Sequence, residues 1–304
     1  VSDLPTRISL REVGPRDGLQ NEDPVDTAAK VALIDALSAT GVTRIEAVSF
    51  VHPRSIPQMA DADEVWRQVS RSDQVFYSAL VPNLRGAQRA LDAGFTELET
   101  VVSASDTHNR KNVNRSTAQS LDEIAQVIDL AHARGATCQV IVSTAWGCPY
   151  EGDVPVERVA AVAARAVADG ADSASFGDTT GMATPCRVQE LVGTFRSQHP
   201  EMPLNLHFHN TRGTGLANVL AALDMGVADF DASVGGLGGC PYAPGATGNI
   251  ATEELVNMVE DMGVATGVDL ERLIEVAAEA ERMVGHKLPS QVLRAGPRTR
   301  NVPV

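Results

Sequence analysis

The sequence predicts an α/β fold, a single (β/α)8 TIM barrel with an extra C-terminal helix and a short tail, and three observations predict it. Eight short apolar runs recur along the 304 residues, each followed by Gly, Pro, Asn or Asp. Segments of helical period fill nearly every gap between them. No Ser/Gly linker, low-complexity tract or charge block breaks the series, whereas an open doubly wound sheet of this length would usually show a domain break. Residues 1–304 are therefore read as one domain, with the Pro- and Arg-rich stretch 286–304 as a loose tail.

The strands are read in order at 7–13 (RISLREV), 44–50 (RIEAVSF), 75–81 (VFYSALV) and 97–105 (ELETVVSAS). Four more follow at 138–144 (CQVIVST), 173–179 (SASFGDT), 204–210 (LNLHFHN) and 229–236 (DFDASVGG). The first helix, 26–40, takes Asp26 or Thr27 as its N-cap, sets Val31, Leu33, Ile34 and Leu37 on one stripe, and closes on Gly41. Segments 116–135 and 156–170 repeat that form and also end in Gly. Helices at 186–198 and 214–226 complete the inner series, and two more, 252–263 and 269–285, follow the last strand.

Hydrophobic residues make up 43% and aromatics only 4%, so the core must be built from Ala, Val, Leu and Ile. The net charge of −14 repels polyanions and no basic aromatic stripe offsets it, which argues against a nucleic-acid partner. Four cysteines, Cys138, Cys148, Cys186 and Cys240, form no C-x-x-C pair and fit free thiols in a reducing compartment. No apolar stretch approaches the roughly 20 residues that span a bilayer. The N-terminal residues carry no export pattern, so a cytoplasmic location without a membrane partner is expected.

In such a barrel, reactive residues collect at the C-terminal ends of the strands. The first strand runs into GPRDGLQNE, placing Arg16 and Asp17 at the rim, and the second carries Glu46 in an apolar run. The sixth ends in Gly177-Asp178-Thr179, the seventh in His207-Phe208-His209-Asn210, and the eighth in the loop GGLGGCPYAPGATGN. Two histidines at i and i+2 on a strand face one side, about 6.6 Å apart, and can converge on one ion. The plainer alternative is one histidine in the core and the other capping a helix. With the carboxylate of Asp17 and the amide of Asn249 on adjacent strands of the ring, a metal set of Asp17, His207, His209 and Asn249 is favoured. Mixed N and O donors suit Mg2+ or Mn2+, with Zn2+ as the alternative.

Arg16 projects into the same rim, either to hold an anion or polarise a carbonyl, or to pair structurally with Glu46 or Asp178. Glu46 and Asp178 are single carboxylates in apolar strands and must meet a metal, an Arg or a donor. Cys240 follows a run of glycines that allows close approach to a ligand or lid movement, and is either a proton-transferring thiol or a small filler. Cys148 repeats the Gly-Cys-Pro-Tyr string at another strand end, and spacing does not choose between the two. Glu253 opens a helix after Thr252, where a capping role is the simple reading. The glycine loop lacks the G-x-x-x-x-G-K-[ST] pattern, which excludes a nucleotide phosphate loop.

From Arg11 to Glu271 the chain resembles the 3-hydroxy-3-methylglutaryl-CoA lyases, members of the metal-dependent DRE-TIM barrel superfamily. The motifs that carry the likeness are EVGPRDGLQNE (12–22), GCPYEG (147–152), GDTTG (177–181), H-F-H (207–209) and GGLGGCPYAPGATGN (235–249). The resemblance implies Asp17, His207, His209 and Asn249 as metal ligands, Arg16 as stabiliser of a thioester enolate, and Cys240 as the thiol of a mobile loop. It implies that Glu46, Asp178 and Glu253 hold substrate, Arg16 or the loop, that Gln20 touches substrate, and that Lys111 and Asn112 lie near the CoA moiety. The implied reaction is a retro-Claisen cleavage with an acyl-CoA substrate: His207 or Asp178 takes the 3-hydroxyl proton, C2–C3 breaks, acetoacetate leaves, and Cys240 or water protonates the acetyl-CoA enolate facing Arg16. A homodimer is also expected from the resemblance.

Two departures bear on the substrate. The family more often follows H-x-H with Asp-Thr and an aromatic residue, where this chain has Asn210-Thr211-Arg212, and its members tend to carry Arg where this chain has Gln139. Gln139 and Arg212 are therefore candidate substrate contacts that would alter the acyl group accepted. A Claisen-condensing relative of the isopropylmalate or homocitrate synthases is the first alternative, although only a short tail follows the last helix here. A non-catalytic metal- or CoA-binding scaffold is the second, but it gives no reason for Arg16 and Cys240 beside the ligands.

Overall fold

The computed structural model describes residues 4–239 and 247–300. Eight parallel strands close into a barrel in sequence order, the first pairing with the last. They are β1 (Ser9–Glu12), β2 (Arg44–Ser49), β3 (Phe76–Leu80), β4 (Glu97–Ser103), β5 (Thr137–Ser143), β6 (Ser173–Gly177), β7 (Leu204–His207) and β8 (Asp229–Ala232). Each lies within the run read for it, except that β5 begins one residue earlier. Around them stand α1 (Thr27–Ser38), α2 (Ala62–Gln68), α3 (Leu84–Asp92), α4 (Asp106–Val113), α5 (Thr117–Ala133), α6 (Val156–Ala168), α7 (Pro185–Gln198) and α8 (Gly215–Asp224). After β8 come α9 (Thr252–Asp261), α10 (Leu270–Val284) and α11 (Gln291–Ala295). Among the described residues, no helix is long and apolar enough to cross a membrane.

Local chemistry sets the boundaries. Asp26 caps α1 by accepting from the Ala29 N–H at 2.9 Å, and Ser116 with Gln119 forms a capping box on α5. The sequence pattern misses α2, α3 and α4, which have seven, nine and eight residues and so are too short to display a repeated apolar stripe. It also misreads the tail. Residues 288–295 pack rather than dangle: Leu288 is buried against Gly235, Ser290 is buried, and α11 packs on α9 and α10. The contacts that anchor this segment are scattered (Leu288 at Gly235, the Ser290 N–H on the Gly235 carbonyl, Arg294 on Glu281), so they leave no periodic trace.

Strand alternation divides the core into two parts. On β5, Cys138, Val140 and Val142 are buried beneath α5 and α6, while Gln139, Ile141 and Ser143 face the barrel interior. The interior layer below the mouth is polar. Arg11 of β1 donates to Asp231 of β8 through Nε and Nη2 at 2.8 and 2.9 Å, pairs with Glu99 of β4, and donates to Gln139 of β5 at 2.7 Å. Asn205 of β7 donates to the same Asp231 at 2.9 Å, and Ser78 of β3 donates to Glu99. Charges buried this deeply are tolerated because each meets a partner of opposite sign.

Candidate active site and metal centre

The end of β1 builds the first half of the site. Gly14–Gly18 form a π-helical turn in which the Val13 carbonyl accepts from the N–H groups of Arg16, Asp17 and Gly18 at 3.2, 2.7 and 3.1 Å. Such wide turns concentrate at functional sites, and this one presents Arg16 and Asp17 side by side. Glu12, buried at the root of the turn, holds it in place. Its Oε1 accepts from the Gly14 and Val234 N–H groups at 2.8 and 2.9 Å, and its Oε2 from the Thr252 hydroxyl at 2.6 Å. Burial pushes the Glu12 carboxyl up to about 7, against those three donors.

β7 and the segment after β8 supply the second half. His207 ends β7, and His209 lies just beyond it, in an isolated bridge with Asn249. The strand is therefore shorter than the pattern suggested, yet the two imidazole centroids lie 5.2 Å apart. Ligand atoms of Asp17, His207 and His209 all fall within 4.8 Å of one another. Asn249 joins them by donating from Nδ2 to Asp17 at 2.9 Å and to the Leu237 carbonyl at 3.1 Å. This turns its Oδ1 into a buried position with no hydrogen-bond partner, and the Nδ1 of His209 is likewise buried without one. A cluster of N and O donors with orphaned lone pairs is what a hard or borderline divalent cation requires, so the residues present fit such an ion. At Gly238 (φ 104°) an added Cβ would stand 2.9 Å from Asn249 Nδ2, so the glycine backbone lets the amide sit this close.

The electrostatics follow the geometry. Burial opposes the charge on Asp17, but the charges of Arg16, His207 and His209 outweigh it and hold the carboxyl at about 2. Burial, reinforced by the neighbouring His207, drives His209 down to about 3, which keeps it neutral and able to ligate. His207 is shifted upward despite burial because its Nδ1 lies 3.1 Å from Asp231 Oδ2. Asp231 in turn is held well below the usual carboxylate range, the Arg11 charge outweighing the cost of burial.

Arg16 binds Asp17 Oδ1 through Nη1 at 2.7 Å and Glu46 through Nη2 at 2.6 Å, while its Nε is buried with no hydrogen-bond partner. Glu46 sits where β2 bulges against β3, and burial pushes its carboxyl up to about 8 although the Arg16 charge opposes the rise. Of the two partners considered for Arg16, the pair is with Glu46. Asp178 instead accepts at Oδ1 from the Met182 and Ala183 N–H groups at 2.8 and 3.1 Å, leaving a buried Oδ2 without a hydrogen-bond partner, and burial pushes it up to about 6. Gln20 donates to Asp17 Oδ1 at 2.8 Å and so lies beside the cluster. Glu253 reaches beyond the first turn of its own helix. Its Oε2 accepts from Gly235 N–H at 3.0 Å, bracing the turn after β8, and burial pushes it up to about 7.

The remaining sequence candidates fall elsewhere. Gln139 is 3% exposed and is spent on Arg11 and Ser173 in the layer beneath the mouth, so the expectation of a direct substrate contact is corrected. The inward residue nearer the mouth on that strand is Ile141, two positions further along. Arg212 turns its guanidinium onto the carbonyls of Thr180 and Gly181 at 2.6 and 3.1 Å, tying two rim loops together. Lys111 and Asn112 are exposed on α4, with Lys111 Nζ 4.9 Å from the Tyr150 ring centroid. Cys148 is buried with its Sγ 2.9 Å from Ser105 Oγ, whereas Cys240 lies outside the described residues. Sequence reasoning passed over Arg11, Glu12 and Asp231. The signal that singled out Glu46 and Asp178, a charged residue inside a strand run, is present at all three.

The chain is similar to known proteins over nearly its whole length. The HMGL-like family model matches residues 7–279. A hydroxymethylglutaryl-CoA lyase of Bacillus subtilis is 46% identical over 95% of this chain and 97% of its own. An (R)-citramalyl-CoA lyase of Chloroflexus aurantiacus is 44% identical over 95% of each. The structure of an HMG-CoA lyase from Acinetobacter baumannii in complex with coenzyme A and 3-methylmalate superposes with a TM-score of 0.94, at 44% identity and 98% coverage of both chains. A match across nearly the whole barrel, together with relatives of this identity and coverage, means that the chain belongs to the HMGL-like family.

Proposed function

We propose that the protein is a carbon–carbon lyase that cleaves 3-hydroxy-3-methylglutaryl-CoA to acetyl-CoA and acetoacetate. One observation carries the reading: Arg16 shares Asp17 with a cluster of His207, His209 and Asn249 at the mouth of a barrel whose near-full-length relatives are named for this activity. Asp17, His207, His209 and Asn249 would hold Mg2+ or Mn2+, which supplies Lewis-acid polarisation of the substrate oxygens at that point.

The chain's own groups do the rest. His207 is engaged at Nδ1 by Asp231, so Asp178, whose Oδ2 has no hydrogen-bond partner, is the group that takes the 3-hydroxyl proton. The C2–C3 bond then breaks, its electron pair going to C2 of the thioester as the ketone of acetoacetate forms. Arg16 faces the resulting enolate oxygen with a guanidinium that Glu46 and Asp17 fix in advance, so no reorganisation is needed as the charge develops. The thiol of Cys240, which follows β8 in the sequence, returns a proton to C2. Lys111 of α4, whose Nζ lies 4.9 Å from the Tyr150 ring centroid, would meet the CoA portion.

A second substrate, (R)-citramalyl-CoA, is favoured by the 44% identical relative of that name. Both substrates are tertiary 3-hydroxyacyl thioesters, and the bond broken is the same. The test is to incubate EDTA-treated protein with each thioester, with and without Mg2+ or Mn2+, and to measure acetoacetate and pyruvate. Metal-dependent acetoacetate is the expected product. Pyruvate from citramalyl-CoA with no acetoacetate would transfer the assignment to the second substrate, and neither product would refute the lyase reading.

A further inference from the structure

We propose that Arg11 and Asp231 form a strut that fixes the His207 ring for metal binding, which makes both of them positioning residues of this centre. The inference rests on the reading of Asp17, His207, His209 and Asn249 as a metal site, and it concerns two residues that touch neither the ion nor the substrate.

Asp231 is 3% exposed, and its two oxygens take four bonds. Oδ1 accepts from Arg11 Nε at 2.8 Å and Asn205 Nδ2 at 2.9 Å, while Oδ2 takes Arg11 Nη2 at 2.9 Å and His207 Nδ1 at 3.1 Å. The carboxylate can neither rotate nor withdraw without breaking a two-pronged guanidinium bond. Because it accepts at His207 Nδ1, that nitrogen carries the proton and the Nε2 lone pair is left for the ligand cluster. Arg11 is immobilised from the opposite side: its Nη1 meets Gln139 at 2.7 Å and Glu99 at 2.5 Å, on two further strands. Four strands of the ring therefore converge on one guanidinium, and the rigidity of the barrel reaches His207 through Asp231. His209 has no comparable carboxylate partner among the described residues, and its buried Nδ1 is one of the atoms left for the ion. The orientation of the pair is thus set from the His207 side. This also accounts for Gln139: with the cation entering from β1, strand β5 needs a neutral acceptor at that level.

The test is Mn2+ affinity of the full-length, EDTA-stripped protein, followed by the electron paramagnetic resonance of free Mn2+, with the melting temperature of the same metal-free samples. Asp231→Asn keeps the shape but presents an amide to His207, and affinity is expected to fall about 10- to 100-fold. The double variant Arg11→Gln/Glu99→Gln removes one charge of each sign, leaves Asp231 without its fork, and is expected to weaken Mn2+ about tenfold or more. Arg11→Lys keeps the charge but not the fork and should fall between wild type and the double variant. If the folded variants bind Mn2+ within threefold of wild type while their metal-free melting temperatures drop, the network is structural only and the proposal fails. Should Asp231→Asn not fold, the double variant and Arg11→Lys decide by the same criterion. Wild-type protein that binds no Mn2+ would overturn the strut together with the metal site. Wild-type protein that binds Mn2+ but cleaves neither thioester would remove only the proposed function.

Discussion

Replacing Arg16 with Gln separates the chemical work of this residue from its structural work. The guanidinium is held between Asp17 and Glu46 at 2.7 and 2.6 Å, and its unpartnered Nε is buried in the mouth. Gln is shorter and neutral, so the charge facing the developing enolate is lost. Loss of one preorganised donor of this kind costs about 10^2- to 10^3-fold in kcat, or roughly 3–4 kcal/mol of transition-state stabilisation. Glu46 is wholly buried and loses its counter-ion, and breaking a buried pair from one side destabilises by about 3–5 kcal/mol. For a chain of this size that is a melting-temperature drop of roughly 5–8 °C. The assay is single-turnover cleavage at a temperature where the variant is folded, alongside its Mn2+ affinity. The expected result is a collapse in rate with Mn2+ binding within tenfold of wild type, since Asp17 retains Gln20 and Asn249. A folded Arg16→Gln that cleaves within tenfold of wild type would refute the role assigned to the guanidinium.

Other perturbations test separate parts of the argument. Glu12→Ala strips acceptors from the Gly14 and Val234 N–H groups and the Thr252 hydroxyl, so at about 1–3 kcal/mol per orphan the loss in urea unfolding should exceed roughly 3 kcal/mol; a loss below about 1 kcal/mol would show that Glu12 does not hold the π-helical turn. Burial raises Asp178 to about 6, so its neutral form is favoured by folding: that stability is fully present below the ordinary value of 3.8 and is lost as pH rises through about 6. Asp178→Asn keeps the acceptor for Met182 and Ala183, and in metal-free protein it should be about 3 kcal/mol more stable than wild type at pH 7.5, with the difference vanishing near pH 4; an unchanged difference across that range would contradict the shift. Gly238→Ala puts a Cβ against Asn249 at a positive φ, and calorimetry should show strain of about 1–3 kcal/mol with weakened Mn2+ binding. Excess Mn2+ should raise wild-type stability by about 2.7 kcal/mol at a hundredfold over its Kd, and Asn249→Ala should lose much of that gain.

The barrel and half of its site are legible without coordinates because both rest on short-range rules. Alternation along a strand buries Val140 and Val142 and turns Gln139 inward, and the same rule puts His207 and His209 on one side. Caps such as Asp26 and Ser116 announce helix starts through their own hydrogen bonds. Short helices like α4 escape, as does a tail anchored by Leu288, Ser290 and the packing of α11, because neither repeats often enough to register as a period.

What the sequence by itself determined was the fold class and the end of the barrel where Asp17, His207, His209, Asn249 and Arg16 come together. Only the tertiary structure decided how those groups are held. Whether Arg16 pairs with Glu46 or Asp178, whether Gln139 faces substrate or Arg11, and whether Glu253 caps its helix or braces Gly235 are questions of contact between residues far apart in the chain. The Arg11–Asp231 bond joins residues 220 positions apart, and the same Asp231 meets His207. Buried charge demands a partner, which the sequence can state, but ring closure chooses that partner, and closure is a property of all eight strands together.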